Sequence, residues 1–87
     1  MARRLAFTAL AWENYLYWQY QDRKTLERLN ELIRECQRNP LSGIGKPEPL
    51  KRNLSGCWSR RIDSTHRLVY SVTAEEVVIL SCRYHYE

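Results

Sequence analysis

An α+β fold is what this sequence predicts: a short N-terminal strand, a two-helix hairpin and then an antiparallel β-meander, with the helices on one face of the sheet. Three observations carry that expectation. Apolar residues recur at three- and four-residue spacing through positions 22–36, the period changes to two after position 57, and every proline and glycine of the chain falls within 39–56. With 87 residues the chain has room for one domain, spanning 1–87, and one modest core. Any site must therefore lie on the surface of that core.

Leu5 to Phe7 is short and apolar and reads as the first strand. Thr8 suits the N-cap of a helix running through Trp12, Tyr15, Leu16 and Trp18 to about Tyr20. Asp22 suits the cap of a second helix, in which Leu26, Leu29, Leu32, Ile33 and Cys36 form one stripe, with Arg23, Glu27, Glu31, Arg34 and Glu35 opposite. Asn39-Pro40 ends that helix, because the residue before a proline is driven out of the helical region. A long loop follows to Gly56. Trp58 to Ile62, His66 to Val72 and Val77 to Tyr84 then read as strands, rich in β-branched and aromatic residues and parted by polar turns at Asp63-Ser64-Thr65 and Thr73 to Glu76. Trp12, Tyr15, Trp18 and Trp58 are expected in the core rather than at a base-stacking surface.

The net charge of +4 is concentrated in the middle of the chain. Residues 43–70 carry six basic and two acidic side chains, whereas residues 71–87 carry one and three. Lys46, Lys51, Arg52, Arg60, Arg61 and Arg67 form a density suited either to phosphate contacts or to a solvated basic face. Cys36, Cys57 and Cys82 are too few and too scattered for a metal or redox motif and read as reduced, small apolar residues of a cytoplasmic protein. The apolar run Leu5 to Trp12 after Arg3-Arg4 resembles a short leader but lacks a small-residue cleavage site, and nothing approaches the length of a membrane span. His66 and His85 have no metal-ligand partner at helical spacing, and there is no glycine-rich phosphate loop. No metal or cofactor is expected, which leaves acid-base chemistry in a basic setting.

Three residues could carry it. In Lys46-Pro47-Glu48-Pro49-Leu50-Lys51, a proline on each side stiffens the backbone of Glu48, and two lysines favour its ionised form. Arg67 sits within a strand, so its planar donor fork is held for a phosphate or, alternatively, for a cross-strand ion pair. His85, in Arg83-Tyr84-His85-Tyr86, is of the residue type best suited to give up a proton near neutral pH.

Trp12-Glu13-Asn14-Tyr15-Leu16-Tyr17-Trp18, Asn30-Glu31-Leu32-Ile33, Gly45-Lys46-Pro47-Glu48-Pro49-Leu50-Lys51, Asn53-Leu54-Ser55-Gly56, Trp58-Ser59-Arg60-Arg61-Ile62, His66-Arg67-Leu68-Val69-Tyr70 and Cys82-Arg83-Tyr84-His85-Tyr86, in this order, resemble YoeB toxins of the RelE superfamily along almost the whole chain. The departures are Arg3 and Arg4 near the start and Glu87 after the final tyrosine. The resemblance implies a RelE-like, microbial-ribonuclease-like sandwich and a catalytic set of Glu48, Arg67 and His85, with Tyr86 accompanying them. It implies cleavage of messenger RNA in the ribosomal A site, a homodimer, and a YefM-like antitoxin through which operator DNA is bound. Lys46, Lys51, Arg60, Arg61 and Tyr84 are expected to contact RNA or the ribosome. Two other readings stay open: a ParE-like toxin that inhibits a protein target such as gyrase, and an RNA-binding module without chemistry.

Overall fold

The computed structural model describes residues 3–84. Its elements are β1 (Arg4–Phe7), α1 (Ala9–Gln21), α2 (Arg23–Arg38), β2 (Glu48–Pro49), a 3-10 turn (Arg52–Leu54), β3 (Cys57–Arg61), β4 (Arg67–Val72) and β5 (Glu76–Ser81). The α+β class, the two helices and the meander are as the sequence predicts.

Both helices begin on the caps read from the sequence. Thr8 accepts the backbone N–H of Ala11 through Oγ1 at 3.1 Å and donates the same hydroxyl to the Leu80 carbonyl at 3.0 Å, so it starts α1 and ties it to β5. Asp22 serves two helices. Its N–H donates to the Trp18 carbonyl, closing α1, while its carboxylate accepts from the backbone N–H groups of Lys24 and Thr25 and from the Thr25 hydroxyl. The Thr25 hydroxyl and N–H bonds hold the Asp22 carboxyl below its usual pKa of 3.8. A depressed carboxylate stabilises the fold above that value, and the contribution is lost as acid protonates it in the folded state. Asp22→Ala is therefore expected to melt earlier than wild type at neutral pH, with the gap between the two closing below about pH 4. Thermal unfolding of both proteins from pH 7 to pH 3 checks this.

The sheet order is β1-β5-β4-β3-β2, antiparallel throughout except that β1 runs parallel to β5. The parallel edge was not legible beforehand, because a four-residue apolar strand pairs equally well in either direction and only the path of the helices decides it. The last strand ends at Ser81 rather than Tyr84, and the long loop contributes the two-residue strand β2.

Leu68, Tyr70, Val77 and Ile79 face the helices and close with Ala11, Trp18, Leu29, Leu32, Ile33 and Cys36 into a core. Trp18, Tyr15 and Trp58 join or pack against it, as expected, whereas Trp12 is half-exposed, 5.8 Å from the Tyr15 ring and edge-on to Phe7 at 5.6 Å. Cys36 and Cys82 are wholly buried, and burial pushes their thiols up to about 11 and about 12. They remain protonated and unreactive at neutral pH.

Candidate active site

Registry decides which side chains meet on the sheet face that carries no helix. Directly paired residues of adjacent strands point to the same face, and residues two apart along a strand share it. Glu48 pairs with Ser59, Ser59 with Val69 and Val69 with Ser81, while Arg61 pairs with Arg67. Glu48, Ser59, Arg61, Arg67 and Val69 thus share the open face. Their neighbours Trp58, Leu68 and Tyr70 lie on the helix face. Two strand spacings across and two residues along put the Cα atoms of Glu48 and Arg67 about 12 Å apart.

Glu48 owes its position to the loop before it. Gly45 and Lys46 both adopt left-handed backbone, with φ of 85° and 51°. Gly45 suits this place: a side chain would be strained at its φ, and a Cβ there would lie 2.7 Å from Leu32 Cδ2 and 3.1 Å from Arg60 Cβ. The Gly45 carbonyl accepts the Arg61 N–H at 2.7 Å, and Leu50 N–H donates to the Cys57 carbonyl at 2.9 Å, so the Pro47-Glu48-Pro49 segment is sewn to β3 at both ends. Prolines are tolerated here because β2 is an edge strand. A cleft of about 410 Å³ runs along Glu48, Lys51, Arg52 and Leu54. Lys46, Lys51 and Arg52 are exposed around Glu48, giving its carboxylate a positive surround.

Arg67 opens β4 directly opposite Arg61. Like charges facing each other across a ladder repel, unless an anion lies between them. Among the described residues, Arg67 Nη1 is buried and has no hydrogen-bond partner. Ser59 Oγ, in register with Glu48, is likewise buried and unpaired. The sequence reading missed Ser59. Its place opposite Glu48 depends on a two-residue strand that the prolines concealed.

Arg60 corrects the sequence reading. Expected at an RNA surface, it is completely buried, on the helix face between Trp58 and Ile62. Its guanidinium donates to the carbonyls of Asn39, Ser42 and Ile44 and, through Nε, to the Tyr70 hydroxyl at 3.0 Å. The Tyr70 hydroxyl in turn donates to the Pro40 carbonyl at 2.6 Å, and burial pushes its pKa up to about 12. Arg60 pins the 39–45 loop to the core and is unavailable to any ligand.

Tyr84 is 55% exposed at the end of the described chain, with Arg83 stacked between the rings of Tyr17 (3.5 Å) and Tyr84 (4.5 Å). His85 and Tyr86 lie outside the described residues, as does Glu87. A second recess, about 530 Å³ and lined by Leu5, Phe7, Trp12 and Tyr15, sits at the opposite, β1 edge of the sheet and has no part in this constellation. Among the described residues, no helix is long and apolar enough to cross a membrane.

The fold is that of the RelE/YoeB superfamily. Residues 7–86 match the family model of the YoeB-like toxin of bacterial type II toxin-antitoxin systems. A Toxin YoeB of Synechocystis is 56% identical over 84 residues, which is 97% of this chain and 98% of that one. The YoeB dimer of Staphylococcus aureus is 47% identical, with a TM-score of 0.90 over 99% of this chain and 100% of its own. YoeB in a YoeB-YefM complex of the same organism is 46% identical, with a TM-score of 0.88 and the same coverage. The chain belongs to the YoeB-like toxin family.

Proposed function

We propose that this chain is the toxin of a type II toxin-antitoxin pair and acts as a ribosome-dependent endoribonuclease on messenger RNA in the A site. The observation that carries the reading is the shared open face of Glu48 and Arg67, with Arg61 opposing Arg67 across the ladder. A carboxylate on the same sheet face as two facing guanidiniums, with the Cα atoms of Glu48 and Arg67 about 12 Å apart, suits a nucleotide held between them.

In this reading Glu48 takes the proton from a ribose 2'-hydroxyl, and the freed oxygen attacks the adjacent phosphorus. His85 protonates the departing 5'-oxygen. Arg67 stabilises the doubly charged phosphorane, where negative charge accumulates most, and Tyr86 accompanies His85. The products are a 2',3'-cyclic phosphate and a 5'-hydroxyl. Downstream fragments should therefore accept label from polynucleotide kinase and ATP without prior dephosphorylation. A requirement for dephosphorylation would exclude this chemistry.

Lys46, Lys51 and Arg61 are assigned to phosphate contacts, and Tyr84 to a base. Alanine at any one of the three cations should weaken RNA binding and reduce the slope of log affinity against log salt by about one, while leaving the saturated cleavage rate in place. Binding titrations between 50 and 300 mM salt, compared with single-turnover cleavage (conditions on the order of those that resolve such slopes), check the division of labour. A partner resembling YefM, acidic where this face is basic, fits the family, as does a homodimer. Operator DNA is then met through the antitoxin.

A further inference from the structure

We propose that His66 is a positioning residue for the terminal segment, its imidazole Nδ1 standing in for a backbone carbonyl that the sheet does not supply. The inference rests on the reading of His85 as the general acid. Regular pairing of β4 with β5 stops at Val69 and Ser81. Beyond it the chain is held by three side chains and one backbone bond. The Cys82 N–H donates to Asn14 Oδ1 at 3.0 Å, and the Cys82 carbonyl accepts the Trp18 indole N–H at 2.8 Å. The Tyr84 N–H then donates to His66 Nδ1 at 2.7 Å, and the Tyr84 carbonyl accepts the Arg67 N–H at 2.8 Å.

This bracket grips a residue that would not hold its shape unaided. Tyr84 has a φ of 62°, a left-handed conformation that is strained for a non-glycine residue. With both its backbone groups bonded, Tyr84, the last described residue before His85, is held in place. His66 is itself fixed. Its N–H donates to Asp63 Oδ1 at 2.7 Å, its carbonyl accepts the Ile62 N–H at 3.0 Å, and its ring stands edge-on to Trp18 at 4.8 Å. Because Nδ1 accepts, the neutral ring carries its proton on Nε2, and His66 is used as an acceptor rather than as a proton donor. The bracket also links the two halves of the site. Arg67, the first residue of β4, follows His66 and supplies the second bond, so the proposed phosphate ligand and Tyr84 are registered through adjacent residues.

Two substitutions separate acceptor from filler. His66→Phe keeps a ring against Trp18 and removes the acceptor, whereas His66→Asn keeps an acceptor oxygen and removes the ring. The expected result is that H66F loses hydrogen-exchange protection at the Tyr84 amide and cleaves messenger on programmed ribosomes about 10- to 100-fold more slowly at saturation, with KM unchanged. H66N should retain both protection and most of the rate. If H66F loses protection but cleaves like wild type, or H66N fails as badly as H66F at equal melting temperature, the positioning role is overturned. Unaltered protection in H66F overturns the bracket itself. Should wild type not cleave at all, the ribonuclease reading fails, while the exchange measurement still decides the bracket.

Discussion

Glu48→Gln should slow single-turnover cleavage on programmed ribosomes by about 100- to 10,000-fold, the usual worth of a general base. The substitution keeps the shape of the side chain and removes only its capacity to take a proton. Because Glu48 is exposed on an edge strand, stability should move by no more than about 0.5 kcal/mol. RNA affinity should hold or rise slightly, since one negative charge leaves a basic face. Equal rates for wild type and Glu48→Gln, with both folded, would remove Glu48 from the chemistry.

The other large effect is expected at Arg60, and it concerns folding. Arg60→Ala leaves three loop carbonyls and the Tyr70 hydroxyl without their donor. The fully buried guanidinium is lost with its packing, and each group left unpaired away from water costs about 1–3 kcal/mol, against a total stability of about 5–15 kcal/mol for a domain. The 39–45 loop, which delivers Gly45 and Lys46 to the start of β2, should come away from the core, and much of the protein should unfold in mild urea. Arg61→Ala, one residue on and exposed, should unfold close to wild type and differ instead in salt-dependent RNA binding. Urea titrations of the two variants check the contrast. A stable Arg60→Ala protein with weakened RNA binding would contradict the buried role.

That contrast shows what the sequence could and could not reveal. Caps are local, so Thr8 and Asp22 marked both helix starts correctly. Period-two patterning marks three strands, yet a high local density of basic residues suggests surface whatever the parity of each one. Arg60 shares parity with Trp58 and Ile62, the apolar side of its strand, whereas Arg61 shares it with Ser59. Parity alone would have placed Arg60 inside. The short β2 was hidden because its prolines argue against a strand, and only the edge position, where missing N–H groups cost little, makes it possible. Whether Arg67 shares a face with Glu48 depends on two successive strand pairings, Glu48 with Ser59 and Ser59 with Val69, which no local pattern contains. The register shift between Val69 and Tyr70 in the β4–β5 pairing is equally silent in the sequence. In the sequence His66 shows only the lack of a metal-ligand partner at helical spacing, and its use as a backbone acceptor requires seeing Tyr84 beside it.

The proposed function stands most directly on where messenger RNA is cut and by which residues. Purified wild type and His85→Ala should be added separately to a translating ribosome mixture, and messenger 5' ends mapped by primer extension. New ends at the A-site codon with wild type and almost none with His85→Ala are the predicted result. No new ends with either protein would point to a toxin acting on a protein target or to a binding module, and equal ends with both would contradict the assignment of His85 as the acid.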